Sequence, residues 1–98
     1  MYFKIKENSF LASLAARKLK SNRAAIVFGH TIHLHNISQK QFFSDERLKR
    51  HELCHVKQYE QHGFLPFLFK YLLESIRHGY TNNRFEIEAR QAELVNPK

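Results

Sequence analysis

Cysteine, tryptophan and long uncharged apolar segments are scarce or absent in this chain of 98 residues. Cys54 is the only cysteine, so no disulfide can form within the chain and a reducing compartment is acceptable. The most apolar stretch, residues 64–76, contains Lys70 and Glu74 and is too short to span a bilayer. Basic residues follow the apolar run 10–16, where a signal peptide would need a small-residue cleavage site. We therefore expect a cytoplasmic protein without a transmembrane segment.

The composition is that of an ordinary soluble globule. It is 43% hydrophobic and 26% charged, with nine phenylalanines, four tyrosines and no tryptophan, so we expect one domain spanning 1–98 with an aromatic core. The net charge of +7 favours acidic partners. The basic residues are scattered, however, and the densest groups, 17–20 and 47–50, lack the aromatic interleaving or repeat of a nucleic-acid module. A basic nucleic-acid-binding module is therefore only a second alternative, and no nucleic acid is expected as a partner.

The hydrophobic pattern predicts an α+β fold. Residues 24–35 are expected to form a β-hairpin around Gly29-His30, with the second strand, Thr31 to His35, at the edge of a small sheet. Three turn and capping signals place helices after the hairpin, and a loop is expected at 36–43. The predicted elements are a strand at 2–6, a helix from the Ser9 cap to about Lys20, the hairpin, a helix from the Ser44 cap to about His62, a helix from the turn of Pro66 to about His78, and a helix from the Asn83 cap to about Val95.

His51-Glu52-Leu53-Cys54-His55 forms an H-E-x-x-H motif on the longest of these helices. Helical residues four apart lie about 40° from each other, so both imidazoles can bind one metal ion. The carboxylate of Glu52 can reach a water on that metal, which gives the two ligands and the general base that a zinc peptidase needs. Both histidines and Glu52 share the apolar arc of Leu48, Val56 and Tyr59, and a chance motif has no reason to fall there.

A catalytic zinc usually has three protein ligands, so a third must come from elsewhere. The metzincin extension is rejected because Gln58 and Gln61 stand where a glycine and a histidine are needed, and His62 is one place off. The zinc-deaminase signature needs two cysteines and is rejected too. Glu86 and Glu88 remain, about 200° apart on their helix, so only one of them can point at the metal. A third alternative is that Glu86 merely completes a capping box with Asn83, which leaves the metal without either carboxylate.

The segment 24–92 resembles the small gluzincin metallopeptidases (minigluzincins). The resemblance rests on a hairpin, a helix with H-E-L-x-H-V-x-Q-Y and a helix with N-x-F-E-x-E-A-R. It implies that Glu86, which opens the E-x-x-A-D pattern of gluzincins, is the third ligand. The Asp that ends this pattern supports the first histidine in the family, but Arg90 stands in its place and cannot accept a proton from imidazole. Either another group orients His51, or its support is weaker here.

The working hypothesis is a zinc-dependent peptidase in which His51, His55 and Glu86 bind Zn²⁺ and Glu52 is the general base. The resemblance implies that a peptide substrate pairs with the Thr31–His35 edge strand. The main alternative is a zinc-binding regulatory or structural domain that cleaves nothing. Several other residues are expected to have no catalytic role: Cys54 as an inert side chain, His33 and His35 on a solvated strand face, Tyr59 in the core, His78 at a helix end, and Tyr80. The apolar run 64–72 is expected to be core, with a partner or membrane surface as the alternative.

Overall fold

The computed structural model describes residues 1–94, which form five helices and a three-stranded mixed sheet, as expected for the predicted α+β fold. Val95, where the last predicted helix was expected to end, lies outside the described residues. In residues 1–94 no helix is both long enough and apolar enough to cross a membrane. The elements along the chain are β1 (Lys4–Lys6), α1 (Phe10–Lys18), β2 (Ala24–Phe28), β3 (Thr31–His35), α2 (Gln39–Ser44), α3 (Glu46–His62), α4 (Phe64–His78) and α5 (Arg84–Ala92).

The sheet confirms the hairpin but corrects the position of its second strand. β2 and β3 pair antiparallel, with Phe28 opposite Thr31, so Gly29-His30 is the two-residue turn. Gly29 has a φ of +67°, a conformation that favours glycine. The strand order is β1-β3-β2, so Thr31–His35 is the central strand and the predicted edge position is wrong. The reason is β1, which pairs parallel with β3 over three residues and covers the side that the hairpin leaves open.

The central strand has one fully buried face and one half-buried face. Ile32 and Leu34 are fully buried in a cluster that includes Val56 of α3 and Phe42 of α2. On the other face, the Ser9 hydroxyl lies 2.8 Å from Nδ1 of His33. The sheet therefore packs against α3 through its apolar face, which fixes the helix that carries the H-E-x-x-H motif.

Helix boundaries follow the capping residues. Ser9 caps α1 and Asn83 caps α5, as predicted, and α3 and α4 end at Gly63 and Gly79. α3 is capped by Asp45, whose carboxylate accepts from the Leu48 amide at 3.0 Å, and not by Ser44. Ser44 instead ends α2, a helix that was predicted as part of a loop.

A capping box explains α2. The Ser38 hydroxyl accepts from the Gln41 amide and the Gln41 side chain accepts from the Ser38 amide. The helix is too short to display an apolar period, but it inserts Phe42, which is fully buried, beneath the sheet. The pattern Ser-x-x-Gln was the signal that could have predicted it.

Candidate metal centre

The three predicted metal ligands lie together where α3 meets α5. One ligand atom each of His51, His55 and Glu86 fall within 4.8 Å of one another. Nε2 of His51 is 3.1 Å from one Glu86 oxygen, and Nε2 of His55 is 3.2 Å from the other. Bonds of 2.0–2.1 Å in a tetrahedral zinc site place ligand atoms roughly 3.3 Å apart. The spacing of these donors therefore fits one zinc ion, and in residues 1–94 they form the one cluster of this kind.

The second nitrogen of each imidazole is held by a neighbouring side chain. Nδ1 of His51 donates to Glu93 at 2.7 Å, and Nδ1 of His55 donates to the Gln58 carbonyl oxygen at 2.8 Å. These bonds orient both rings so that the two Nε2 atoms face Glu86. Histidines that bind metals almost always donate their other ring N–H in this way, which fixes the tautomer and the ring orientation.

Glu93 supplies the support that Arg90 cannot give to His51. The Arg90 guanidinium donates to the backbone carbonyl of Thr81, away from the histidines. Glu93 follows Glu86 by seven residues, or two helical turns, and so projects from nearly the same side of α5. A guanidinium nitrogen of Arg47 lies 3.5 Å from the second carboxylate oxygen of Glu93. Sequence analysis missed Glu93, although this seven-residue spacing was a signal that could have found it.

The position of Glu88 separates it from the candidate metal centre. Its carboxylate accepts from the Gln58 side-chain amide at 2.6 Å, so Glu88 is linked to His55 only through Gln58 and does not reach the imidazoles itself. The predicted capping box is not formed either. The Asn83 side chain accepts from the Phe85 amide at 2.8 Å, whereas the Glu86 carboxylate contacts the two histidines and the Tyr71 hydroxyl. Of the alternatives left open by the sequence, only Glu86 has its carboxylate beside both imidazoles.

Glu52 lies beside these ligands with its carboxylate free of protein partners. It is 4% exposed and lines a cavity of about 340 Å³, and no side-chain hydrogen bond from residues 1–94 reaches it. Burial above all, together with the charges of Glu86 and Glu93, raises the pKa of Glu52 to about 8 against the opposing effect of His55. A bound cation would lower this pKa and leave a carboxylate able to accept a proton.

The electrostatics of the centre suit a dication. Burial by itself would raise the pKa of Glu86, but hydrogen bonds from His51 and His55 hold it well below its usual range. Burial likewise would lower the pKa values of both histidines, but the contacts with Glu86 raise them. The centre thus gathers two buried carboxylates and two imidazoles, a set whose burial cost a divalent cation would offset.

Two tyrosines border the centre. The Tyr71 hydroxyl donates to Glu86, and Tyr80 lines the same cavity. Burial, followed by the charge of Glu86, raises the pKa of each, so both hydroxyls stay protonated donors. Sequence analysis missed Tyr71, because only the packing of α4 against α3 brings it near the histidines.

The cavity runs past the outer edge of β2, which no other strand of residues 1–94 pairs with. Its walls are mostly apolar and come from α1, β2 and α4, and its floor is the candidate metal centre. Ala25 and Val27 line it from one face of the strand, and Ile26 and Phe28 from the other. The open strand edge beside the histidines is therefore that of β2.

The remaining candidates lie outside the centre. Tyr59 is in the core, as predicted, and His78 is exposed at the end of α4. His33 is half-buried rather than solvated, and burial, together with Lys6, lowers its pKa. Cys54 is a free thiol whose pKa burial raises to about 11, which agrees with an inert side chain.

Comparison of the chain with protein-family models, curated proteins and solved structures found no match. The resemblance to gluzincins therefore stays a prediction based on the motifs.

Proposed function

We propose that this protein is a zinc-dependent peptidase of the gluzincin type, with His51, His55 and Glu86 as the ligands of Zn²⁺. The observation that carries the proposal is the convergence of these three side chains beside the buried carboxylate of Glu52, at the floor of a cavity. The supporting bonds from the two histidines to Glu93 and Gln58 add the outer contacts that a metal site requires.

The proposed chemistry divides between the metal and the protein. Zinc, when bound, supplies the Lewis acidity that activates a water and polarises a peptide carbonyl. The Glu52 carboxylate accepts a proton from the attacking water and delivers it to the leaving nitrogen. Tyr80 presents its hydroxyl to the cavity, where it can stabilise negative charge that develops on the carbonyl oxygen. Tyr71 donates its one hydroxyl proton to Glu86 and so holds that carboxylate in place.

The strand that we propose pairs with the peptide substrate is β2 and not β3. β3 is paired on both sides, whereas the outer edge of β2 is unpaired within residues 1–94 and borders the cavity beside His51, Glu52 and His55. An extended peptide can add to such an edge through backbone hydrogen bonds, with its side chains alternating between the two faces. We propose the cytoplasm as the location, where the single thiol stays reduced.

Metal content is the first test. Elemental mass spectrometry of untagged protein should find about one zinc per chain, lost in His51→Ala and weakened in Glu86→Ala. Glu88→Ala is the matched control and should keep its zinc. A wild-type protein without zinc after zinc-replete expression would contradict the proposal.

Hydrolysis is tested separately, on a mixture of peptides read by mass spectrometry. Glu52→Gln should retain zinc and lose hydrolysis, because the amide cannot accept the proton. Retained hydrolysis in this variant would overturn the mechanism. Bound zinc without any turnover that depends on Glu52 would instead support the alternative of a non-cleaving zinc domain.

A further inference from the structure

The outer side of α4 carries an exposed apolar stripe. Its members are spaced four, three and four residues apart and therefore share one side of the helix. Every one of them is more than half exposed, so the prediction that the run 64–72 is core is wrong for Leu65, Phe69 and Leu72. The stripe consists of Leu65 (69% exposed), Phe69 (68%), Leu72 (52%) and Ile76 (82%).

α1 extends this apolar surface on the other side of the cavity mouth. Phe10 and Leu14, one turn apart, are exposed on α1. Leu11 of α1 and Leu19, which caps the end of α1, line the cavity on one side, and Leu72 of the stripe lines it from α4. The two helices thus border one opening, and both present apolar side chains to solvent around it.

The charges around this surface are almost all positive. Between residues 8 and 44 the sequence contains no aspartate or glutamate. Glu74 is the one acidic residue of α1 and α4, and its carboxylate accepts from the Arg84 amide at 3.0 Å. The exposed basic residues of α1, its C-terminal turn and α4 are Arg17, Lys18, Lys20, Lys70 and Arg77.

We propose that the α1–α4 surface docks on an anionic lipid bilayer. Phenylalanine and leucine side chains on one side of a helix enter the boundary between headgroups and acyl chains, while lysine and arginine extend to the phosphates. Each basic residue near an anionic leaflet adds to the attraction. In this orientation the cavity mouth between α1 and α4 faces the bilayer.

Two other occupants fit these observations less well. A second copy docked through the same surface would bring two basic faces together and place like charges opposite each other. A nucleic acid would use the basic residues but would leave the apolar stripe exposed to water. A bilayer satisfies both features, and this proposal does not depend on the zinc site.

Vesicle co-sedimentation tests the contribution of the apolar stripe to membrane binding. Wild-type protein should bind phosphatidylcholine vesicles that contain roughly one third phosphatidylglycerol, and bind vesicles of phosphatidylcholine alone far more weakly. Ile76→Glu should weaken binding by about tenfold or more, because it places a carboxylate in the interface. Leu94→Glu introduces the same carboxylate at an exposed apolar residue beyond α5 and should leave binding within about twofold of wild type.

A second matched pair tests the charges. Arg77→Gln should weaken binding to the anionic vesicles about fivefold at low salt. Lys57→Gln removes one charge from the groove between α3 and α5 and should have little effect. Far-ultraviolet circular dichroism checks that each variant folds.

Four results would overturn the proposal. They are no binding to anionic vesicles, equal binding to neutral ones, equal losses in the members of a matched pair, and a concentration-dependent dimer in light scattering that Ile76→Glu abolishes. The last result would assign the stripe to an interface between copies.

Discussion

The two sides of the molecule use polar groups in opposite ways. Where α3 meets α5, buried polar side chains bond to one another, and His51, His55 and Glu86 each have at least two partners. Where α1 and α4 border the cavity mouth, apolar side chains face solvent among basic residues. Burying a polar group is costly unless it is paired, and exposing an apolar stripe forgoes hydrophobic stabilisation. Both departures from the usual pattern identify regions that we expect to bind a partner: a zinc ion where α3 meets α5, and a lipid bilayer beside α1 and α4.

α4 carries this contrast within a single helix, which gives the largest expected effect. Phe67 is 2% exposed and packs with Tyr59 and Phe85, whereas Phe69 is 68% exposed. Phe67→Ala should lower the free energy of unfolding by about 3–5 kcal/mol. Phe69→Ala should change it by about 0.5 kcal/mol or less. Urea denaturation measures both, and a large loss in Phe69→Ala would show that the stripe belongs to the core.

Glu86 and Glu88 on α5 test which carboxylate binds the metal. Glu86→Gln should weaken zinc binding by more than about 100-fold, the upper range for groups outside the ligand set, because Glu86 is a proposed ligand. Glu88→Gln removes a charge two residues away but leaves the donor set intact, so its zinc affinity should stay close to that of the wild type. Competition with a chelator measures both affinities. A greater loss in Glu88→Gln would reverse the assignment of the third ligand.

Glu93 and Arg90 test which residue supports His51. Glu93→Gln should weaken zinc binding by roughly 10–100-fold, because the amide is a poorer acceptor for the N–H of His51. Arg90→Gln serves as the control and should keep the affinity, since within residues 1–94 the Arg90 side chain hydrogen-bonds only to the Thr81 backbone carbonyl. If Arg90→Gln were the more damaging change, the support would not come from Glu93.

The pH dependence of zinc binding tests the protonation of His51 and His55 directly. Contacts with Glu86 outweigh burial and raise the pKa values of both His51 and His55 above 6.5 in the metal-free protein. Zinc needs neutral imidazoles, so affinity is fully present above the raised values and falls as the pH decreases through them. Below the raised pKa values, the zinc affinity should fall about tenfold per pH unit for each proton that zinc displaces. Chelator competition between about pH 8 and pH 6 measures it, and a constant affinity would contradict it.

The sequence predicted the helices and the hairpin well because their signals are local. Ser9 and Asn83 cap the helices they were expected to cap, and Gly63 and Gly79 end theirs. Two predictions were wrong, the loop at 36–43 and the edge position of Thr31–His35, and for different reasons. α2 is too short to show an apolar period, and the edge position of Thr31–His35 depended on a three-residue strand pairing from a distant part of the chain.

For the candidate metal centre, the sequence by itself determined the pair His51 and His55 and the place of Glu52 beside them, because four-residue spacing on a helix fixes their common side. It left Glu86, Glu88 and a capping role as alternatives. The packing of α5 against α3 places Glu86 beside the imidazoles and turns Glu88 towards Gln58, which no spacing along the chain specified. Tertiary structure likewise brought Glu93 to His51 and left the α4 stripe uncovered. Contacts between distant segments depend on how whole helices pack against one another, and the spacing of residues within one helix does not specify that packing.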